Sequence, residues 1–584
     1  MTLTKKLIIG FVLLSLIPNG IKSQSVNSIK KSMVVDTSGI FMLDQVGYMP
    51  KSYKVALIKA NVGDFEVIDS KSNKVVFIGK TGSPQYWKFS GDTVRMADFT
   101  QLITPGKYRL YLKEKSIYSY AFEIKPDVYS EVTKAAIKAF YFNRCSFEIT
   151  KEFGGKWARA AGHPDTEVIV DESAASKERP AGTKISSPGG WYDAGDYNKY
   201  IVNSGITMYT LLLFYQMHPE YCNQLNTNIP ESNNNIPDVV DEILFNLNWM
   251  LTMQDPNDGG VYHKLTNKSF DAFIMPDKAI APRYVVMKCT PATLDFAAVM
   301  AIASRVFANS HNAKLETLAI TFKEAANKAY AWAKANPAVY YKQPAGFQTG
   351  YYGDRNLSDE FLWANAEMAL LNQDNSLITQ KDIEARKLSV PGWPQVDFLG
   401  LISLSLTNNE QFKDLKNSAR QKIVALADSL TSISNSCPYN VSLKIFNWGS
   451  NGELANEVFI QLIAYNLTKD KKYLSAIQGN VDYILGKNAT GYCFVTGFGS
   501  KQVMNIHHRI SGSDGIPEPE PGFLCGGPNP SGQNDCGPDL YPSKFPAKSY
   551  LDALCSYASN EIAINWNAPL FFILGSMDAM GEKK

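Results

Sequence analysis

The sequence predicts a multidomain chain in which a small all-β sandwich precedes a much larger all-α domain. Three observations predict it. At 584 residues the chain is too long for one ordinary core. Its hydrophobic period changes from about two to about 3.6 after "KPDVYS", Lys125–Ser130. No strand pattern recurs between the later helical stretches, which disfavours an α/β barrel.

The elements follow in chain order. Lys5 and Lys6, the apolar run Leu7–Ile17 and the small residue Ser23 form a secretory signal pattern, residues 1–23, so the mature protein is expected to be periplasmic or secreted. No later segment has the roughly 18 uninterrupted apolar residues of a membrane span. Residues 36–126 carry short β-branched runs, "KVALI", "FEVID", "KVVFIG", "KYRLYL" and "SYAFEI", broken by Gly, Pro, Asn and Ser. In "KYRLYL" the residues Tyr108, Leu110 and Leu112 fall on one face, with Lys107 and Arg109 on the other.

Residues 127–580 are helical. In "DVVDEILFNLNWMLTMQ" the residues Val240, Ile243, Leu244, Leu247 and Met250 make one stripe, with Pro237 and Asp238 at its start. Further helices are predicted at "TLDFAAVMAIASRVFANS", "DEFLWANAEMALL", "ARQKIVALADSL", "LANEVFIQLIAYNLT" and "YLSAIQGNVDYILG". Their broad, Ala-rich stripes predict packing on two sides, as in a toroid or bundle with its site on long loops at one end.

Composition narrows the function classes. A net charge of +2 gives no reason to expect a nucleic-acid partner. Aromatic residues at 12% fit rings that stack on sugars, although they serve core packing as well. Eight cysteines are too few for a disulfide scaffold in a chain of this size. Cys525 and Cys536 flank one Gly/Pro/Asn-rich loop and are the pair expected to bridge, whereas Cys289 and Cys555 read as buried thiols.

Three constellations can carry chemistry. In "SPGGWYDAGDYNKY", Ser187–Tyr200, the carboxylates Asp193 and Asp196 stand three apart between glycines and aromatics. They suit either an Asx-type turn or a pair that shares one water, one oxygen taking its proton while the other fixes its lone pair. Gly195 would let the backbone bend so that both face the same space. In "SYLDALCSYASNEIAINWNAPL", Ser549–Leu570, polar and apolar residues alternate near a helix, and Glu561 in apolar company is either salt-bridged or protonated, hence a candidate general acid. In "GFGSKQVMNIHHRISGSDG", His507 and Arg509 lie two apart on a Gly-flanked loop, suited to sugar hydroxyls rather than to a metal.

Together these segments resemble glycoside hydrolase family 9. Tyr550 to Ala568 is similar to its signature aromatic-x-Asp-x4-aromatic-x3-Glu-x-small-x3-Asn-small. The His507-x-Arg509 segment resembles its other signature, except that Cys493 stands where Ser, Thr or Val is usual. "GGWYDAGDYNKY" looks like its catalytic-base motif, and "MLDQVGYMPKSYKVALI" like the opening of the immunoglobulin-like domain of one branch.

The resemblance implies an immunoglobulin-like sandwich before an (α/α)6 barrel, and an inverting, endo-acting β-1,4-glucanase that needs no cofactor for its chemistry. A specialist on xyloglucan, mixed-linkage glucan or cello-oligosaccharides and a decayed glycan-binding protein are the alternatives. It implies Asp196 as general base, Asp193 as its partner in holding the water, Glu561 as general acid, and His507 and Arg509 against the sugar. Trp448 and Tyr557 are expected to line the cleft; Trp363 is either cleft or core.

Relatives often hold a structural zinc through two cysteines and two histidines. This chain keeps Cys145 and His163 but has Gly162 and Tyr192 in the other two places, so no zinc is expected. Glu231, Asn234 and Asp238 in "ESNNNIPD" are oxygen ligands suited to Ca²⁺, or alternatively a helix-capping turn. A monomer is expected.

Overall fold

The computed structural model describes residues 39–537 and 539–582. The expected signal segment, residues 1–23, lies outside the described residues.

The first part is a sandwich of short strands. One sheet has the order β1 (Phe41–Met42), β3 (Val55–Ile58), β7 (Asp92–Asp98), β6 (Gln85–Trp87). The other has the order β2 (Gly47–Tyr48), β10 (Phe122–Ile124), β8 (Gly106–Leu112), β4 (Asp64–Asp69), β5 (Val75–Lys80), with β9 (Ile117–Tyr118) alongside β8. Pairing is antiparallel except between β2 and β10. Tyr108, Leu110 and Leu112 enter the core with Phe65, Val67 and Phe122, while Lys107 is exposed, as a period of two requires.

The second part alternates outer and inner helices. The inner set is Ile201–Met217, Thr290–Phe307, Ser358–Asn372, Asp397–Leu406, Ser450–Thr468 and Ile564–Glu582. The outer set is Ser130–Phe142, Asp238–Thr252, Ala313–Ala335, the short Gln380–Glu384, Lys413–Ser436 and Leu474–Ile484. Ile201–Met217 packs both on Thr290–Phe307 and on Ile564–Glu582, so the ring closes into an (α/α)6 barrel. In Ile201–Met217 every residue from Ile201 to Tyr215 is buried. Such a helix, buried on all sides, carries no stripe, and the periodicity that reveals its outer neighbours passes over it.

The two parts are joined through both apolar and polar groups, Met42, Leu57, Trp87 and Val94 sharing the barrel's core. Gln45 takes the backbone carbonyl of Gly491 (2.7 Å) and accepts from the N–H groups of Ser500 and Lys501 (2.9 and 2.8 Å). Trp87 lies against Tyr439, ring centroids 4.4 Å apart. Beneath them Asp44, from the sandwich, faces Asp482, from the barrel.

Candidate active site

The site forms where the N-terminal ends of the inner helices meet. Asp193 and Asp196 precede Ile201–Met217, Tyr352 precedes Ser358–Asn372, Trp393 precedes Asp397–Leu406, Trp448 precedes Ser450–Thr468, and Glu561 precedes Ile564–Glu582. Each of these ends turns the positive pole of its helix toward the same space, which suits a cluster of carboxylates.

Main-chain bonds fix the cluster. Ala194 bridges to Ala563, His507 bridges to Glu561, and the N–H of Ile564 donates to the carbonyl of Asp193 (2.9 Å). The N–H of Arg509 donates to the carbonyl of Gly195 (3.1 Å). Three segments remote in sequence thus lie side by side. This gives Gly195 a different reason from the expected bend: a Cβ there would stand 2.1 Å from the carbonyl oxygen of His507, so only glycine admits the neighbouring segment.

Asp193 accepts from the Asn203 amide at 2.9 and 3.0 Å and from the Tyr352 hydroxyl at 3.1 Å. Asp196 accepts from the Tyr200 hydroxyl at 3.2 Å and from the Asn198 amide, whose own oxygen is held by Thr266 and the N–H of Asn267 (both 3.0 Å). One Glu561 oxygen accepts from the N–H of Gly195, 366 positions away in sequence, at 3.3 Å.

Burial first, and then the charge of Asp196, push Asp193 up to about 8. Burial, Asp196 and Asp193 push Glu561 up to about 8 as well. A carboxyl in that range keeps its proton at neutral pH and can deliver it to a leaving oxygen.

His507 donates through Nδ1 to the carbonyl of Leu554 (2.7 Å), and burial lowers its pKa. The neutral ring therefore offers Nε2 as an acceptor. Arg509 is committed to the frame, Nε on the carbonyl of Asp271 and Nη1 on that of Gly195, both at 2.7 Å. Nε and one of the two Nη1 protons are thus already engaged. Trp448 and Tyr557 are 51% and 41% exposed, with ring centroids 5.4 Å apart, and Tyr557 continues to His507 and Phe273. Trp393 meets the edge of Tyr352 across the cluster. Trp363 is fully buried and belongs to the core.

The sequence reading missed Asn203 and Tyr352, both on Asp193, and did not assign Asn198. The tyrosine pair Tyr351–Tyr352 between Gly350 and Gly353 was the available signal.

The expected calcium ligands are engaged elsewhere. Both Glu231 oxygens take Arg144 (2.9 and 3.1 Å), Asp238 accepts from Thr227 and Ser232, and the Asn234 amide turns to Asp241. Local spacing could not show the arginine, which comes from the end of another helix. A cluster that does suit a hard cation is Asp354, Asp359 and Glu360, with one ligand atom from each within 4.8 Å of the others. Asp359 Oδ1 and Glu360 Oε2 are buried there and meet no donor group among the described residues.

Cys145 and His163 sit in a polar core. His163 Nδ1 pairs with the Tyr192 hydroxyl (2.9 Å), and Cys145 Sγ lies 3.5 Å from Asp165, which Lys199 (2.8 Å) and Arg283 (3.2 Å) neutralise. At Gly162 a Cβ would meet Pro276 at 2.3 Å.

The expected Cys525–Cys536 bridge is corrected: Cys536 is bonded to Cys555. Residues 551–556 form no helix, so Cys555 reaches the loop, while Cys525 is buried with its sulfur 3.5 Å from the Tyr550 hydroxyl. Cys289 is a buried thiol as expected.

Known proteins resemble this arrangement along nearly its full length. The model of the family described as "Glycosyl hydrolase family 9" matches residues 129–574, and that of the "Cellulase N-terminal ig-like domain" matches residues 36–116. A xyloglucan-specific endo-beta-1,4-glucanase of Bacteroides ovatus is 43% identical, over 92% of this chain and 93% of its own. Endoglucanase D of Acetivibrio thermocellus is 32% identical, over 97% and 85%. A solved structure titled Bacteroides ovatus GH9 superposes with a TM-score of 0.85 at 40% identity, covering 93% of this chain and 99% of that one.

Proposed function

The chain belongs to glycosyl hydrolase family 9, and from that membership and the cleft we infer that it is an exported, monomeric, inverting endo-β-1,4-glucanase with xyloglucan as its preferred polymer. The observation that carries the chemistry is the main-chain pairing that sets the Glu561 carboxyl on the N–H of Gly195, beside Asp193 and Asp196, with the exposed ring of Tyr557 against the paired His507. Glu561 protonates the glycosidic oxygen as its bond to the anomeric carbon breaks. Water attacks that carbon from the other face and gives its proton to Asp196, while Asp193, held by Asn203 and Tyr352, orients the water. Proton exchange with solvent resets the two groups.

Trp448 and Tyr557 offer faces to glucosyl rings, and Nε2 of His507 accepts a sugar hydroxyl. Export rests on the pattern at residues 1–23, and no helix among the described residues is long and apolar enough to cross a membrane. The division between the domains is put at 126/127, after the last strand and before the first barrel helix. Structural Ca²⁺ belongs at Asp354, Asp359 and Glu360, where two buried oxygens meet no donor group among the described residues, and it would tie the loop after Tyr352 to an inner helix.

Chromatography and mass spectrometry of products from xyloglucan, cellulose, mixed-linkage glucan and cello-oligosaccharides test the reading. Many oligomer sizes released early, fastest from xyloglucan and with inverted anomeric configuration by NMR, are expected. A single short product would replace it with an exo-acting enzyme, and no product from any of them with a glycan-binding protein.

A further inference from the structure

Lys264 is a buried cation close enough to Asp196 to feel its charge. It opens the short strand Lys264–Thr266, which pairs with Lys199–Tyr200 so that Lys264 stands opposite Tyr200. Its ammonium donates to the carbonyl of Gly350 (2.7 Å), the hydroxyl of Thr349 (3.0 Å) and the amide oxygen of Gln343 (3.1 Å). All three protons are used on neutral acceptors, and among the described residues no carboxylate lies within ion-pairing distance. Such a charge is costly to bury, and neutral acceptors alone do not require it.

Its bonds lead to both aspartates. Thr349 shares a hydrogen bond with Thr266 (2.7 Å), Thr266 holds the oxygen of Asn198 (3.0 Å), and Asn198 donates to Asp196. The N–H of Gly350 donates to the Tyr200 hydroxyl (3.0 Å), which donates in turn to Asp196. Two residues beyond Gly350, Tyr352 donates to Asp193.

The groups facing the ammonium are the rings of Tyr200 and Tyr341, at 5.6 and 5.8 Å, its neighbour His263, and Asp196. Burial keeps His263 neutral at the pH values where a carboxylate base works, which leaves Asp196 as the charge that Lys264 feels. Burial pushes the lysine down to about 7, against the pull of Asp196, so it is charged through the acidic range.

We propose that Lys264 is a positioning residue for water activation, tying the Thr349–Tyr352 turn to the Asp193–Tyr200 loop and supplying the positive charge that favours the anionic form of Asp196. The inference rests on Asp196 being the base.

The test is the pH dependence of kcat/KM on a soluble β-glucan for the full chain and for Lys264→Met, Lys264→Gln, Thr349→Val and Asp196→Asn. Both lysine variants are expected to lose about tenfold in kcat with KM changed less than twofold, and to move the acid limb up by roughly one pH unit, the scale of one nearby charge. Thr349→Val, which breaks the relay and keeps the charge, is expected to lower kcat with the limb unmoved. Should Lys264→Met fail to fold, Lys264→Gln reads the same charge. An unmoved limb in a folded lysine variant overturns the electrostatic role, and an unchanged kcat overturns the positioning role. If Asp196→Asn keeps its activity, the assignment of the base falls and this proposal with it; if Asp196→Asn is inactive and the lysine variants match the parent, only this proposal falls.

Discussion

The cleft and the junction between sandwich and barrel both bury carboxyl groups against one another, and they treat them differently. At the junction Asp482 takes the Lys487 ammonium (3.0 Å) and the Gln478 amide (2.7 Å), and Asp44 takes the N–H groups of Val46 and Gly47 (2.8 and 2.9 Å) with the Tyr129 hydroxyl (3.3 Å). A cation lies inside the cluster. Among the described residues no cation touches Asp193, Asp196 or Glu561 in the cleft, and Glu561 accepts one long bond from a backbone N–H. Burial raises pKa at both places, yet the junction spends its carboxyls on cohesion and the cleft keeps a proton on call.

The largest expected effect falls on the cleft. Glu561→Gln removes the proposed proton donor and is expected to lower kcat on unactivated glucan about a thousandfold, with substrate binding retained in a pull-down on insoluble glucan. Near-normal turnover would erase the distinction between the two clusters.

At the junction the counterpart is Lys487→Met, which leaves Asp482 buried without its cation. A loss of about 3 kcal/mol in denaturant unfolding is expected, with kcat of the remaining folded enzyme little changed. An undisturbed midpoint would mean that the junction does not depend on its cation.

The raised pKa of Glu561 fixes a sign for pH. The acid must carry its proton, so activity is expected on the acidic side and lost as pH rises through about 8, tenfold per unit beyond it, read as the basic limb of kcat/KM. Full activity at pH 10 would remove Glu561 as the acid.

The smallest effect concerns the wall above the carboxyls. Trp448→Ala is expected to raise KM about fivefold, roughly 1 kcal/mol, with kcat nearly constant. A fall in kcat instead would tie the ring to the transition state.

What sequence reasoning could reach follows the range of each interaction. The face of Tyr108, Leu110 and Leu112 and the stripe from Val240 to Met250 are local periodicities, and both are found as read. Asp193 and Asp196 announce themselves because glycines and aromatics crowd a carboxylate pair within one loop. Tyr352 reaches Asp193 across 159 positions and Asn203 lies in the buried stretch from Ile201 to Tyr215, so neither leaves a pattern beside its partner. The disulfide was misread for the reverse reason. Cys525 and Cys536 share a loop in sequence, but the chain buries Cys525 between Ile562 and Tyr550 and brings Cys555 round instead. The same holds for Glu231, whose fate was decided by Arg144, 87 positions earlier.

The pairing of Ala194 with Ala563 and of His507 with Glu561 also makes turnover a reporter of topology. The proposed acid and base come from opposite sides of the seam where Ile201–Met217 meets Ile564–Glu582, so on that assignment neither half of the chain, synthesised alone, owns a working set. Two inactive halves that regain turnover on mixing would be reporting that the seam itself has healed.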